Sequence, residues 1–283
     1  MRILLAFLRM LPPELAHSIA LYSLQYLYRF KLIGIFFPNR FFNAPFHFKG
    51  LEFKNRLGIA AGLDKNGDFI DSLGSLGFGF IEVGTITPKP QSGNPKPRIF
   101  RFTDQEAIVN RLGFNNKGVD YLVEKVKVRK YNGVLGINIG ANKDSTGQKR
   151  IDDYIECFQK VSSFADYITV NISSPNTPGL RTLHSKENFL PLFQAINNAR
   201  VLEHFTNPIF VKLSPDEELD TISEITKAIK EFNFDGVIAS NTTVDKSNLI
   251  FSSKAELSGG LSGKPLLQKS NELLDLVHSK EPE

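Results

Sequence analysis

The sequence predicts an α/β fold, a (β/α)8 TIM barrel preceded by an N-terminal helical extension. Two observations lead there. Short Ile- and Val-rich runs recur at 57–62, 78–83, 134–139, 167–172, 208–213 and 236–240, separated by amphipathic stretches. Several runs show no polar alternation, as strands buried on both faces require. Strand–helix alternation gives a parallel sheet, either doubly wound or closed. The second observation favours closure. Nearly every run ends in a polar group: Asp64 and Lys65, then Thr85, Asn138, Asn171, Lys212, and finally Ser240, Asn241 and Thr242. A barrel gathers such groups on its carboxyl face, whereas an open sheet concentrates them at one switch point.

The elements follow in order. Residues 1–40 form an extension and 41–283 the main domain. Run 3–8 is apolar up to Arg9, Pro12 and Pro13 open 14–28 with Leu15, Ile19, Tyr22 and Tyr26 near helical spacing, and 32–37 ends at Pro38. No stretch reaches the roughly 18 apolar residues of a span, and no small-residue cleavage site marks a signal peptide. The extension reads either as a helical cap on the core or as a membrane-surface element or apolar passage. Helical patterns then follow at Ile70/Leu73/Leu76, Val119/Leu122/Val126, Tyr154/Phe158/Val161, Phe189/Phe193/Ile196, Leu219/Ile222/Ile225/Ile229 and 266–277.

Composition excludes several classes. Of 283 residues, 41% are hydrophobic and 23% charged, which rules out disorder. A single Cys excludes a disulfide framework and a multi-Cys zinc site and fits a reducing, cytoplasmic compartment. Cys157, among Tyr154, Phe158 and Val161, reads as packing. The net charge of +4 suits an anionic ligand or membrane surface and does not argue for nucleic acid. Neither G-x-G-x-x-G after the first run nor a P-loop is present, so nicotinamide and P-loop readings have no support. With no G-x-S-x-G elbow and five scattered His, a Ser–His–acid triad has none either.

Four segments carry chemistry. Ala60-Ala61-Gly62-Leu63-Asp64-Lys65-Asn66-Gly67 is a tight turn of small residues that lets a planar ligand approach the backbone. Lys65 could pair with a carboxylate or phosphate, or face solvent after a capping Asp. Asn110-Arg111-Leu112-Gly113-Phe114-Asn115-Asn116 reads as a turn and cap, or as a donor–acceptor set for an imide-like edge. The loop from Asn171 through Ser173, Ser174, Pro175 and Asn176 to Gly179 is fixed by two prolines and offers Ser173 or Ser174 as proton acceptor. Lys212 lies inside an apolar strand, where an unpaired ammonium is costly. It needs an ion-pair partner, an anionic cofactor, or Schiff-base chemistry. The Gly-rich stretch 258–263 reads as a loop, flexible or cradling phosphate or a ring.

Together AAGLDKNG, EVGTITPKPQSGNPKPR, NRLGFNN, GVLGINIGANKD, NISSPNTPGLR, VKLSPD, VIASNTT and GGLSGKPL, in this order over about 50–270, resemble the quinone-dependent dihydroorotate dehydrogenases. That resemblance implies a (β/α)8 barrel binding FMN, oxidation of dihydroorotate to orotate in de novo pyrimidine (UMP) synthesis, and a membrane quinone as electron acceptor. It implies that 1–38 lies on lipid at the cytoplasmic side of a bacterial inner membrane, and that the protein is monomeric, needs no metal and binds no nucleic acid. Ala61, Gly62, Thr85, Asn138, Asn171, Lys212, Ser240 and Gly263 would contact FMN, Lys212 at the edge that becomes anionic. Lys65 would hold the substrate carboxylate. Asn110, Asn171, Asn176 and Asn241 would bracket the ring, with Arg111, Leu112, Gly113, Phe114 and Thr242 beside it, and Ser174 would take the C5 proton. Ser at 174, where soluble relatives carry Cys, fits the membrane class, while Ser240 stands where Thr is commoner.

The family has eight barrel strands, and the sequence offers about six before Glu283. It is therefore expected to lack the C-terminal end and, alone, to hold FMN poorly. The alternative reading is a truncated, catalytically inactive remnant that still associates with membrane.

Overall fold

The computed structural model describes residues 2–38, 43–176, 183, 185–250 and 257–280. Helices α1 (Arg2–Met10), α2 (Pro13–Arg29) and α3 (Ile33–Phe36) come first. Pro13 takes the first helical position of α2, where its missing N–H costs nothing. The expected boundary at 40/41 falls outside the described residues.

A hairpin follows, β1 (Phe46–Phe48) and β2 (Leu51–Phe53), outside the six apolar runs. Lys49 and Gly50 make its two-residue turn with φ of 47° and 79°, positive at both positions as a type I′ turn needs. The chain continues through β3 (Gly58–Ile59), α4 (Ile70–Gly74), β4 (Phe80–Ile86), β5 (Ile99–Phe102), β6 (Ala107–Asn110), α5 (Val119–Lys127), β7 (Val134–Ile139) and α6 (Gly147–Val161). Then come β8 (Tyr167–Asn171), α7 (Lys186–Leu202), β9 (Ile209–Lys212), α8 (Leu219–Glu231), β10 (Gly236–Ile238), β11 (Gly260–Gly263) and α9 (Lys264–Lys280).

Each predicted run contains one strand of a single parallel sheet ordered β3-β4-β7-β8-β9-β10, with β3 and β10 at its edges. Sequential strands are neighbours, as in a barrel; the doubly wound alternative would reverse the order at a switch point. The architecture is a partial (β/α)8 barrel with an N-terminal helical extension. Tyr154, Phe158, Phe189 and Phe193 are fully buried between sheet and helices. Leu21, Leu24 and Ile33 of the extension join the same core.

Stretch 258–263 is a correction. It is not a loop: Gly260–Gly263 is strand β11, antiparallel to β6 in a second sheet, β11-β6-β5. Leu261 buries against Ala107, Val109 and Leu249. Glycine allows the close approach, because a Cβ on Gly260 would lie 1.9 Å from the Thr242 hydroxyl oxygen and one on Gly259 2.4 Å from the Asn110 carbonyl.

Candidate active site

The carboxyl ends of the strands hold a continuous polar cluster. After β3 the chain turns sharply: the Gly62 N–H donates to the Gly84 carbonyl at 2.8 Å. Gly62 adopts φ +112°, and nothing lies within 4 Å of where a Cβ would sit. That opening leaves Ala61 and Gly62 as a backbone face for a planar ligand. Asp64 is buried and caps the next segment, accepting the N–H groups of Asp68 at 3.0 Å and Phe69 at 2.7 Å. Burial pushes its carboxyl up to about 6.

Lys65 donates to Asn115 Oδ1 at 2.7 Å. Burial first, and the Arg98 guanidinium second, bring its ammonium down to about 7. Lys65 is thus a cation short of a counter-ion, which a ligand carboxylate would supply. Arg98, itself buried, pairs with Glu14 of α2 at 2.8 Å and so ties the extension to the site.

The next strands contribute a chain of side-chain hydrogen bonds. The Thr85 hydroxyl donates to Asn138 Oδ1 at 2.6 Å, and Asn171 Nδ2 donates to the Thr85 oxygen at 2.9 Å and to Asn138 Oδ1 at 3.2 Å. Asn241 Nδ2 reaches the Ser173 hydroxyl oxygen at 3.0 Å. The Asn241 side-chain oxygen accepts the N–H of Thr242 at 2.8 Å. Ser240 turns toward α9, 3.3 Å from the Ser270 hydroxyl. Gly263 ends β11 beside Ala107, just before α9.

Lys212 is the informative residue. It is 9% exposed on β9, opposite Asn171, and among the described residues no hydrogen-bond acceptor or carboxylate pairs with it. The ion-pair option is therefore not realised, and a buried ammonium without a partner fits an anionic group bound in the barrel mouth.

Ser174 is buried at the start of the loop after β8, its hydroxyl oxygen accepting the Asn176 N–H at 3.3 Å. Asn176 Nδ2 donates to Asn110 Oδ1 at 3.3 Å, so β6 meets the loop after β8. The loop from Thr177 to Arg181 lies outside the described residues. Arg111 bridges the surface, donating to the Pro97 carbonyl at 3.0 Å and the Ser258 hydroxyl at 3.1 Å. The carbonyl of Leu112 accepts the Asn94 N–H at 3.1 Å. Gly113 at φ +68° packs against the Asn94 side chain, and Phe114 is buried at φ 51°. Beside them a cavity of about 490 Å³ opens, lined by residues including Lys96, Arg111, Pro175 and Asn176.

Three participants were not singled out from sequence. Asn115 sits within a quoted motif, and only the fold shows that it holds Lys65. Asn94 ties the Arg111–Leu112 and Asn176 segments, at a separation with no local signal. Glu82 did carry a signal: like Lys212, it is a charge inside an apolar run. Cys157 is fully buried and burial pushes its thiol well up, consistent with packing.

Fold and site together define a partial (β/α) barrel with a buried polar cluster at the carboxyl ends of its strands. Comparison with known proteins narrows the class. Residues 44–280 match the model of the dihydroorotate dehydrogenase family. A dihydroorotate dehydrogenase (quinone) of Saccharophagus degradans is 47% identical over 270 residues, 93% of this chain and 79% of that protein. One of Escherichia coli O1:K1 is 51% identical over 234 residues, 81% of this chain and 70% of that protein. The ligand-free DHODH structure of Eimeria tenella superposes with a TM-score of 0.82 at 36% identity, covering 95% of this chain and 80% of that one. The same enzyme in complex with ferulenol gives 0.81 at 34% identity, covering 95% and 77%. The chain belongs to the dihydroorotate dehydrogenase family.

Proposed function

We propose that this chain oxidises dihydroorotate to orotate with a quinone as electron acceptor, in pyrimidine synthesis. The carrying observation is two cations without a counter-ion among the described residues, Lys65 bonded to Asn115 and Lys212 opposite Asn171. An anionic pyrimidine and an anionic cofactor would answer both. FMN is the group these residues would hold, through Ala61, Gly62, Thr85, Asn138, Asn171, Lys212, Ser240 and Gly263; when bound it supplies the acceptor for the substrate's C6 hydride. Lys65 holds the substrate carboxylate. Asn110, Asn171, Asn176 and Asn241 present donors and acceptors to the imide ring, with 111–114 and Thr242 forming the adjacent wall. Ser174 takes the C5 proton, and its burial keeps bulk water from competing for it.

Membrane contact belongs to the extension. Among the described residues no helix is long and apolar enough to cross a bilayer. Phe30, Ile35 and Phe36 are each more than half exposed, an apolar surface suited to lying on lipid at the cytoplasmic side of an inner membrane as a peripheral monomer. Replacing all three by Ser is expected to release the chain from anionic vesicles in a sedimentation assay and to lower turnover with a membrane quinone, with single-turnover oxidation of dihydroorotate intact. The likeness to quinone-dependent dihydroorotate dehydrogenases at 47% and 51% identity supports this reading over that of an inactive remnant.

The direct test is orotate formation by the purified chain given excess FMN, dihydroorotate and a quinone. Ser174→Ala is expected to slow the single-turnover rate about 10²- to 10⁴-fold with orotate affinity nearly unchanged. A wild-type rate in that variant would reassign the base.

A further inference from the structure

Glu82 lies in the barrel wall on β4, between Ile81 and Val83, which are fully buried; it is itself 4% exposed. Its Oε1 accepts Asn138 Nδ2 at 2.8 Å. Its Oε2 accepts the hydroxyls of Tyr167 at 3.0 Å and Thr169 at 3.1 Å. Three neutral donors converge on it, and among the described residues no cation pairs with it. Burying a carboxylate this way is costly compared with the Ile or Val typical of the position.

The consequence is directional, because an ionised carboxylate only accepts hydrogen bonds while an amide has one donating and one accepting end. Asn138 gives its NH₂ to Glu82, so its oxygen faces away and receives Thr85 and Asn171. Asn171 spends its NH₂ there, so its own oxygen turns outward and accepts the N–H and hydroxyl of Ser173, both at 3.2 Å, and Asn241 Nδ2 at 3.4 Å. Asn241 then offers its oxygen to the Thr242 N–H. Turning over any one amide would set donor against donor or acceptor against acceptor, in a low-dielectric site where such mismatches are expensive.

We propose that Glu82 is a positioning residue. As the acceptor-only root of the Asn138–Thr85–Asn171–Asn241 chain, it fixes which end of each amide faces a bound ring, and so selects ligands with the complementary donor–acceptor edge. The inference rests on the functional reading above for the identity of the ring, but the orientation itself can be read without any ligand.

The experiment uses the full chain with ¹⁵N in its Asn side chains, observed by ¹H–¹⁵N NMR. Glu82→Met removes the acceptor that faces the Asn138 NH₂ and offers no donor or carboxylate in its place. The side-chain signals of Asn138, Asn171 and Asn241 should all move, and orotate affinity measured with excess FMN should fall about ten-fold. Tyr167→Phe and Thr169→Val each remove a donor but keep the root acceptor. They should leave the Asn171 and Asn241 signals in place and orotate affinity within about two-fold. Unmoved Asn171 and Asn241 signals in Glu82→Met overturn the proposal, as does an equal disturbance from Tyr167→Phe. Should Glu82→Met fail to fold, neutron diffraction from wild-type crystals decides: deuterons on the Asn138 atom facing Glu82 support the root, and a bare oxygen there overturns it. Failure of the wild-type chain to take up orotate would count against the functional reading, while the unliganded spectra still decide the role of Glu82.

Discussion

The two ends of the parallel strands are both buried and built from opposite materials. At the amino ends, Phe53 and Phe46 of the hairpin stack with centroids 4.8 Å apart, and Phe53 meets the edge of Phe80 at 5.6 Å. Phe210 lies between Phe48 and Tyr167. This end is an aromatic plug, flanked by Asn55, Asp166 and Asp235, whose side-chain oxygens accept N–H groups at the strand starts. At the carboxyl ends, Thr85, Asn138, Asn171 and Lys212 are all buried polar residues. One end closes the core by area and shape; the other is held by side-chain hydrogen bonds and, on the functional reading proposed above, completed by ligands. Stability should therefore be sensitive at the first end and function at the second.

The sharpest way to break this division is Phe53→Ala. It removes a buried ring from the plug and is expected to cost about 3–5 kcal/mol of stability. Orotate affinity per folded molecule should stay unchanged, as read by denaturant titration beside ligand titration. Lys65→Met should do the reverse. Carboxylate ligands lose their counter-charge and orotate affinity falls about a hundred-fold. Unliganded stability at neutral pH holds or rises, because the ammonium is held at about 7, below its ordinary 10.5. The pH dependence sharpens the point. Between about 7 and 10.5 the unfolded chain binds more protons at this residue than the folded one, so the Lys65 contribution to stability improves as pH rises through that window. Orotate binding needs the ammonium and should run the other way, strongest below about 7 and weakening by at most about ten-fold per pH unit above it. A flat profile would place the carboxylate elsewhere.

The carboxyl end was far more legible in sequence than the amino end. Asp64, Lys65, Thr85, Asn138 and Lys212 stand out because polar residues interrupt or end otherwise apolar runs, and the fold brings them together as the barrel pattern requires. The hairpin at 46–53 left little trace. Its strands are three residues long, and its aromatic side chains find partners on β4, β8 and β9, far away in sequence. Strand β11 was hidden for another reason: the three glycines of 258–263 mark a loop by composition, yet Gly259 and Gly260 are what lets the chain approach Asn110 and Thr242. Asn94 and Asn115 act through long-range contacts that spacing does not encode. Lys212 gave a choice of three roles from sequence, and only its surroundings removed the ion pair.

The most direct measurement is the diffraction structure of this chain with orotate and excess FMN. Orotate is expected at the carboxyl face, its carboxylate on Lys65 Nζ and its ring edges on Asn110, Asn176 and Asn241, with the C5 side toward Ser174. Orotate lodged instead in the outer cavity between Lys96 and Arg111, with Lys65 still bonded only to Asn115, would contradict the assignment of the buried cluster as the active site.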